Sequence, residues 1–424
     1  MTPEIKQRIE QIRRGEVPEG YVKKRKVVIP QQWGLPQIKD IASISSGSTP
    51  NRNNSEYWNG NIAWVTTGEL SSGHVNHTSE LITVKAVKET KMRIYPQGTL
   101  LMAMYGQGKT RGTVAILEID AAVNQACAAI AVKEGKSKFL FYQLKNSYQD
   151  IRKLSNTGNQ ENLNADIIKT YQVPWAPDEE QERISTILTT QDKVIELKEK
   201  RLAEKQRQKK YLMQQLLTGK KRLPGFSGEW KNIKLCEVLS ERKEKNVEQN
   251  LRICSVAVQK GVVDQVEHLG RSYAANDTSN YSVAHYGDII YTKSPTGDFL
   301  YGIVKQNLLQ ETVAVSPLYG VFTPLTFGLG YFLHTYFQSA ICARNYLLPI
   351  VQKGAKNTIN ITNDTFISSK LYLPLDVEEQ KAIADTFIAA DREIELLQQD
   401  IEQEKQKKKA LMQLLLTGIV SVKT

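Results

Sequence analysis

The hydrophobic positions of this chain follow two different periods, and the change of period marks its organisation. Two stretches, Glu179 to Gly219 and Glu378 to Gly418, carry seam positions at alternating steps of four and three residues. This 3.5-residue period is typical of helices that pair as a coiled coil. The residues predicted to pair the helices are Ile184, Leu188, Ile195, Leu202, Leu212 and Leu216 in the first stretch and Ile383, Phe387, Ile394, Ile401, Leu411 and Leu415 in the second. Polar residues such as Gln191, Lys198, Glu404 and Lys408 interrupt these seams.

The two helical stretches are copies of each other. They align without gaps at an offset of 199 residues, with 17 identities in 41 positions. Asp178 gives the first copy an acidic helix start, and Gly219 and Gly418 end the two copies. A weaker echo pairs Trp33 with Trp230. The chain is therefore a variable block and a shared helix, repeated once.

The variable blocks contain short runs of β-branched and aromatic residues separated by Gly, Asn and Pro, a pattern typical of strands. Strand-like runs occur at 61–67, 99–104, 113–117, 288–292 and 319–322, and helical stretches follow at 139–154 and 329–344. The predicted fold is α/β, of the α+β kind, with two similar globular domains separated by two long antiparallel coiled-coil helices and an internal pseudo-twofold repeat. The predicted segments are an N-terminal helical segment (1–29), the first domain (30–177), a central helix (178–222), the second domain (223–375) and a distal helix (376–424).

Composition narrows the class of protein. The chain has 424 residues, and 56 Lys and Arg against 45 Asp and Glu give a net charge of +11, which favours a polyanionic partner. No apolar run approaches the ~20 residues of a membrane-spanning helix, so we expect a cytoplasmic protein. Four cysteines without a CxxC pair predict neither a disulfide scaffold nor a zinc cluster. We expect no metal site.

A glycine-rich loop at Gly106 to Gly112 invites comparison with the phosphate-binding loop of nucleotide hydrolases. That motif requires a glycine where this chain has Ala103. We therefore interpret Lys109 and Arg111 in this loop as contacts to DNA phosphates or base edges, with a plain solvated turn as the alternative. No set of nucleophile, base and orienting acid is visible, so no catalytic residue is expected.

Both variable blocks carry loops that mix Lys or Arg with Asn, Gln, Ser and Thr. Such side chains anchor phosphates and read base edges. The candidate DNA contacts in the first block are Thr49, Arg52, Thr66, Thr67, Lys109, Thr110, Arg111, Asn159 and Gln160. Those in the second block are Arg271, Lys293, Ser294, Thr296, Lys353, Lys356 and Asn357.

Four short motifs carry a resemblance to a known family. They are the Glu-Glu-Gln helix opening (Glu179–Gln181 and Glu378–Gln380), the Leu-Met-Gln-x-Leu-Leu-Thr-Gly ending (Leu212–Gly219 and Leu411–Gly418), Ile-Pro-x-x-Trp (Ile29–Trp33) and Asn-Gln-Ala-Cys-Ala (Asn124–Ala128). Together they resemble the specificity (S) subunit of type I restriction-modification systems, over nearly the whole chain.

The resemblance implies two target-recognition domains, each reading one half of a split, asymmetric DNA site. It also implies that two modification subunits dock on the helices and methylate adenine N6, and that restriction subunits join them. The chain itself would then hold no cofactor, and S-adenosylmethionine and ATP with Mg²⁺ would belong to the partner subunits. Double-stranded DNA is the expected ligand, and no membrane partner is expected.

Two other classes of protein stay open at this point. One is the recognition half of a fused restriction-methyltransferase enzyme, which would bind S-adenosylmethionine. The other is a coiled-coil adaptor without affinity for DNA.

Overall fold

A computed structural model describes residues 2–106, 108–133, 137–154, 162–271, 276–353 and 359–422, with only the backbone described at 269, 352–353 and 359–360. The chain forms two compact units. Unit 1 comprises Met1–Lys198 and Asp400–Thr424, and unit 2 comprises Glu199–Gln399. Because each unit contains half of each long helix, the units do not coincide with the consecutive segments predicted from the sequence.

The helices and strands in the described residues are numbered in chain order. The helices are α1 (Pro3–Arg13), α2 (Ile38–Ile41), α3 (Val84–Thr90), α4 (Ser137–Asn146), α5 (Tyr148–Lys153), α6 (Ala165–Thr170), α7 (Asp178–Leu216), α8 (Gln265–Leu269), α9 (Phe327–Tyr336), α10 (Ala340–Leu347), α11 (Asn363–Ser368) and α12 (Val377–Leu415). The strands before α7 are β1 (Tyr21–Lys24), β2 (Val27–Pro30), β3 (Ala42–Ser46), β4 (Trp58–Val65), β5 (His74–Val75), β6 (Glu80–Ile82), β7 (Leu100–Ala103), β8 (Val114–Leu117), β9 (Ala121–Val123) and β10 (Cys127–Val132). Those after α7 are β11 (Trp230–Lys234), β12 (Leu239–Glu241), β13 (Arg252–Ala257), β14 (Gly261–Asp264), β15 (Ser282–Ala284), β16 (Ile289–Tyr291), β17 (Val304–Gln306), β18 (Val313–Val315), β19 (Gly320–Pro324), β20 (Gln352–Lys353), β21 (Ile359–Asn360) and β22 (Lys370–Pro374).

Unit 1 is built on a five-stranded sheet in the order β3-β10-β7-β8-β5. Its pairs are antiparallel except for β5 with β8, which is parallel. A three-stranded sheet, β6-β4-β9, contains a second parallel pair, β4 with β9. One face of the larger sheet is covered by α4 and by the ends of the long helices, which share one hydrophobic core. The larger sheet is therefore mixed.

Unit 2 repeats this plan with one strand fewer in its central sheet. Its antiparallel sheet has the order β12-β19-β16-β17, and a second sheet, β14-β13-β18-β15, contains the parallel pair β13 with β18. Helix α9 and the ends of the long helices cover the first sheet. This core is rich in aromatic side chains, including Tyr291, Phe322, Phe332 and Phe366.

The long helices α7 and α12 each contain 39 residues. Gly219 and Gly418 follow them with φ of 67° and 72°, left-handed values that suit glycine at a helix end. All twelve predicted pairing residues are buried or half-buried. In each unit the contacts between the two helix halves run antiparallel, since Gln191 meets Glu404 in unit 1 and Lys205 meets Glu393 in unit 2.

The apolar and polar positions of the predicted seam make different kinds of contact. Ile184, Leu188 and Leu415 belong to the same core as the sheet of unit 1, and Ile383 and Phe387 belong to the core of unit 2. These apolar positions therefore join the helices to the domains as well as to each other. The polar positions of the seam carry hydrogen bonds and ion pairs from one helix to the other.

The N-terminal segment is helical only as far as Arg13, and β1 and β2 then form a hairpin. Its Tyr21 hydroxyl donates to the carbonyl of Gly418 at 2.7 Å. Pro30 lies so close to Gly418 that an added Cβ would come within 2.5 Å of its ring. The prediction of a helical segment over 1–29 is therefore wrong for its second half, which packs on the C-terminal end of the chain.

Candidate nucleic-acid interface

Most of the predicted contact residues of unit 1 lie on loops at one edge of its five-stranded sheet. This edge is formed by the ends of the strands and not by an outer strand. Strand pairing places the end of β3 at Ser46, the end of β7 at Ala103, the start of β8 at Val114 and the start of β10 at Cys127 along that edge. The loops that follow or precede these residues therefore lie side by side. We call the described residues of the loops 47–54, 66–73, 104–113 (all but residue 107) and 124–126 the recognition edge of unit 1.

The smaller sheet brings its loops to the same place. The amide of Ser48 donates to the carbonyl of Val123 at 3.0 Å, and the amide of Asn124 donates to the carbonyl of Val65 at 3.0 Å. An added Cβ on Gly47 would lie 1.8 Å from the Val123 carbonyl oxygen. Only glycine permits this approach, so the backbone itself fixes the first loop against the turn at 124–126.

Thr49 and Arg52 lie on the first loop of this edge and are both exposed. The hydroxyl of Thr49 donates to the side chain of Gln125. Arg52 forms a bidentate ion pair with Glu80, and its guanidinium lies 4.2 Å from the centroid of the Trp58 ring. The hydrogen bond to Glu80 is the main reason that the pKa of Arg52 is raised. Arg52 is therefore held in place as a fixed positive charge.

Thr66 and Thr67 lie at the start of a short 3-10 turn, Thr67–Ser72. The carboxylate of Glu69 accepts from the amide of Thr66 at 2.7 Å and from its hydroxyl at 3.1 Å. Both threonines are half-buried. The role the structure gives Thr66 is that of a helix cap.

The loop with Lys109, Thr110 and Arg111 is tied down by helix α5. The hydroxyl of Tyr148 donates to the carbonyl of Lys109 at 2.6 Å, and Arg152 donates to the carbonyl of Arg111 at 2.8 Å. Lys109 is exposed and Thr110 is half-buried, but the Arg111 side chain is only 7% exposed. The Arg111 side chain is therefore not exposed on this loop, whereas the sequence interpretation expected it to be available to DNA.

Sequence reasoning missed two exposed side chains at this edge. Gln125 occupies the turn between β9 and β10 at the centre of the four loops, and Tyr105 follows β7. The motif that contains Gln125 contributed to the family resemblance but was not interpreted as a contact. An amide in a tight turn between two strand-like runs was the available signal.

Unit 2 has an equivalent recognition edge. Glu241 at the end of β12, Tyr291 at the end of β16 and Val304 at the start of β17 lie together by strand pairing with each other or with β19. The loop 292–303 follows from there and contains Lys293, which has a φ of 58° and is half-buried. Burial lowers the pKa of Lys293, and nearby Glu241 opposes this. Ser294 and Thr296 are exposed on the same loop.

The remaining predicted contacts are not gathered at these edges. Arg271 is exposed, but it follows α8. Helix α8 begins directly after the last residue of β14, at the end of that strand away from the recognition edge. Lys353 lies in the β20–β21 hairpin, and its side chain is outside the described part of the structure. Asn159, Gln160, Lys356 and Asn357 also lie outside the described residues.

A tryptophan and a glutamate join each domain to a long helix. In unit 1 the indole of Trp33 donates to Glu180 at 2.9 Å, and in unit 2 the indole of Trp230 donates to Glu379 at 3.1 Å. Both glutamates are buried, with 8% and 1% exposed. These anchors explain why the helix openings are identical in the two copies and why the tryptophans echo each other.

A second repeated contact joins both helices to each domain. Asp192 accepts from Lys408 and, at 2.8 Å, from the hydroxyl of Tyr142. In unit 2, Asp391 accepts from Lys209 and, at 2.9 Å, from the hydroxyl of Tyr331. The Asp and Lys residues are among the identities of the repeat. The shared helix sequence therefore encodes its own attachment to a domain.

Two absences apply to the described residues. Among them, no group of three or more His, Cys, Asp or Glu side chains is arranged to hold a metal ion. None of the helices there combines the length and the apolar character needed to cross a lipid bilayer.

A family model described as "Type I restriction modification DNA specificity domain" matches residues 30–206 and again residues 228–406. These two matches cover most of the chain and coincide with its two copies of domain and helix. The chain belongs to this family. The prediction of a type I specificity subunit made from the repeated helix motifs is thereby confirmed.

Named relatives agree with the specificity family. The Type I restriction enzyme MjaIX specificity subunit of Methanocaldococcus jannaschii is 34% identical over 178 residues, which cover 41% of this chain and 40% of that relative. The MjaVIII specificity subunit of the same organism is 24% identical over 429 residues, covering 93% of this chain and 94% of the relative.

Two solved structures share the fold of this specificity-family chain. The S subunit of a type I restriction-modification system from M. genitalium has a TM-score of 0.58 at 11% identity, covering 93% of this chain and 98% of that one. A structure described as showing complex assembly and conformational transition of the type I R-M system has a TM-score of 0.54 at 15% identity, with coverage of 92% and 99%. At these identities the likeness shows the fold alone, and it confirms the predicted class.

Proposed function

We propose that this specificity subunit reads a bipartite DNA site through the recognition edges of its two units, one half-site per edge. The observation that carries the proposal is the gathering of four loops at one edge of the sheet in unit 1, with the loop 292–303 at the equivalent edge of unit 2. Because the loops of unit 1 come from different parts of the chain, that edge can present several side chains to neighbouring base pairs. The family is one of specificity subunits and not of enzymes, so we assign no reaction to this chain.

Within unit 1 the side chains divide by chemistry. Lys109 is an exposed cation on an anchored loop, which suits a phosphate contact. Gln125 is an exposed amide at the centre of the edge, and amides can read adenine through paired hydrogen bonds. We propose that Lys109 contributes affinity and that Gln125 contributes sequence preference.

The partners and cofactors are part of the same proposal. The subunit acts with two modification subunits, which dock on α7 and α12 and methylate adenine, and with restriction subunits. S-adenosylmethionine, ATP and Mg²⁺ bind to those partners, and the complex works in the cytoplasm. The named relatives, all of them specificity subunits, support this assignment.

The test compares Lys109→Ala and Gln125→Ala in a complex reconstituted with modification subunits. Lys109→Ala should weaken binding to all duplexes about equally and reduce the salt slope by about one. Gln125→Ala should reduce preference for one base pair of the site, by about 1–3 kcal/mol. Fluorescence anisotropy at several salt concentrations and methylation mapping measure these effects.

Lys88→Ala is the matched control, because Lys88 is exposed on α3, which follows the end of β6 that lies opposite the recognition edge. Equal effects of Lys88→Ala and Lys109→Ala would show that the edge is not the DNA surface. Unchanged DNA binding in both edge variants would favour an adaptor without DNA affinity. Binding of S-adenosylmethionine by the chain alone would favour the fused enzyme.

A further inference from the structure

The central sheets of the two units differ at one outer strand, and we call the side of the sheet where this strand lies its border. In unit 1, β5 lies outside β8, and the amides of Ile116 and Glu118 donate to the carbonyls of Gly73 and Val75 at 3.0 and 2.9 Å. In unit 2, β17 is equivalent to β8, and among the described residues no strand is hydrogen-bonded to its outer side, although β14 packs near it. The place of β5 is therefore open in unit 2.

A histidine accepts one of the backbone hydrogen bonds at this open border. Gln306 occupies the place of Ile116 by strand register, and its amide donates to Nδ1 of His334 at 3.0 Å. In unit 2 the imidazole of His334 thus takes the place of the acceptor that the carbonyl of Gly73 provides in unit 1. Because Nδ1 accepts this bond, the ring is neutral with its proton on Nε2. Burial lowers the pKa of His334 well below its ordinary value, and nearby Lys305 and Lys209 add to this.

The open border lines a cleft of about 1440 Å³ between the second domain and the helix halves of unit 2. Its walls include β14, β17, α9, the end of α7 and the middle of α12. Five lysines and three carboxylates line it, so the cleft has an excess of positive charge. The lysines are Lys209, Lys210, Lys220, Lys260 and Lys305, and the carboxylates are Asp298, Asp391 and Glu395.

Lys305 is the unusual member of this set. It is only 4% exposed, and within the described part of the chain its ammonium group has no hydrogen-bond or ion-pair partner, while its nitrogen remains accessible from the cleft. Asp391 is the nearest candidate partner, but its two oxygens already accept from Lys209 and from the Tyr331 hydroxyl. Asp298 and Glu395 are exposed at the cleft.

A cation that is largely removed from water and has no ion-pair partner reduces the stability of a fold. Desolvation lowers the pKa of Lys305 to about 8, with Lys209 adding to this and Asp391 opposing it. The equivalent position in unit 1 holds Ala115, which is fully buried. The fold therefore does not require a lysine here, and a ligand that neutralises it would account for its presence.

We propose that this cleft is a binding site for a phosphate-bearing anion, held by the ammonium group of Lys305. The neighbouring Lys209 and the neutral imidazole of His334 shape the wall, and the lysines at the mouth attract the anion. A phosphate group could come from a free phosphate compound or from the backbone of DNA, and the chemistry of the cleft is the same for both.

The test uses the full chain and pyrophosphate as the probe, with isothermal titration calorimetry at low ionic strength. Lys305→Met keeps the length of the side chain and removes its charge, so affinity for pyrophosphate should fall about tenfold or more. Lys260→Ala is the control, since Lys260 is an exposed lysine of the same cleft. It should change affinity by less than about threefold.

A second measurement separates the two sources of phosphate. If duplex DNA displaces pyrophosphate, and Lys305→Met reduces the salt slope of DNA binding, the backbone of DNA supplies the anion. If DNA does not compete, the ligand is a free phosphate compound. Pyrophosphate that does not bind to the wild-type chain, or that binds equally to wild type and Lys305→Met, would overturn the proposal.

Discussion

Glu180 in unit 1 and Glu379 in unit 2 occupy equivalent buried positions and accept from equivalent tryptophans, but their remaining partners differ. Glu379 forms a bidentate ion pair with Arg222. Glu180 instead accepts from the hydroxyl of Ser421 at 2.8 Å and from the amide of Val422 at 3.2 Å. The same carboxylate is therefore neutralised by a charge in one unit and satisfied by neutral donors in the other.

The difference arises at one position of the repeat. Arg222 and Ser421 both lie three residues after the glycine that ends a long helix. In each unit, the chain leaving one helix contacts the glutamate at the start of the other helix. The repeat thus preserves the geometry of the contact while the donor has diverged. A buried carboxylate requires hydrogen-bond donors, but their charge is free to vary.

The largest expected effect is the loss of Glu379. Glu379→Ala leaves Arg222 and the indole of Trp230 without their acceptor, which should lower the local free energy of unfolding of unit 2 by about 3–5 kcal/mol. Glu180→Ala leaves only neutral donors without their acceptor at the equivalent site and should cost unit 1 about 1.5–3 kcal/mol. Hydrogen exchange with mass spectrometry resolves the two units, which a single unfolding curve does not.

Arg222→Ser is the matched control for this comparison, because it gives unit 2 the residue that unit 1 has naturally. In that background Glu379→Ala should cost about as much as Glu180→Ala. Equal costs in the two units of the wild-type chain would contradict the distinction between charged and neutral partners.

The next effect concerns Lys305 and its counterpart Ala115. With a folded pKa of about 8 against an ordinary 10.5, the unfolded chain binds the proton more tightly. The charge therefore destabilises unit 2 fully below pH 8, and the penalty is relieved as pH rises from 8 to 10.5. Lys305→Met should stabilise unit 2 on the order of 2 kcal/mol at pH 7, and this advantage should shrink towards pH 10.

The stabilities of the wild-type chain and of Lys305→Met are compared in buffers free of phosphate, by hydrogen exchange or urea unfolding at several pH values. Tyrosines that titrate in this range are present in both proteins and cancel in the difference. A Lys305→Met advantage that stays constant from pH 7 to pH 10 would mean that the Lys305 charge is not the source of the penalty.

The repeated parts of the fold were predictable because their sequence pattern and their structure have the same period. Positions such as Ile184 and Ile383 follow from the 3.5-residue seam, and Gly219 and Gly418 from the rules for helix ends. What the seam did not reveal is that its apolar ends also form the domain cores. That depends on which sheet lies against the helix, a contact between residues far apart in the sequence.

The recognition edges were predictable only in part. Residue type selected Lys109 and Ser294, which are exposed, but it also selected Arg111, whose side chain is buried. Gln125 was missed because its place at the recognition edge comes from strand register, which brings three distant loops around its turn. Lys305 was invisible for the same reason, since nothing local in the sequence shows that its strand lies at the open border of a sheet.

The smallest expected effect lies in the middle of the helix seam, where the two copies also differ. In unit 1, Glu404 accepts from Gln191 at 2.6 Å and from Lys198 at 2.9 Å, and these bonds lower its pKa to about 2. At the equivalent seam positions the other copy has Lys205, Ala390 and Leu397.

Because the folded pKa of Glu404 lies below the ordinary 4.5, the stabilisation that Glu404 contributes is present above pH 4.5 and is lost as pH falls from 4.5 towards 2. Glu404→Gln should therefore flatten the acid dependence of hydrogen exchange in the helix segments of unit 1, after correction for intrinsic rates. The exposed Glu402→Gln serves as the control and should leave that dependence unchanged. If both variants follow the wild-type acid profile, the polar contacts of Glu404 do not stabilise the helix pair.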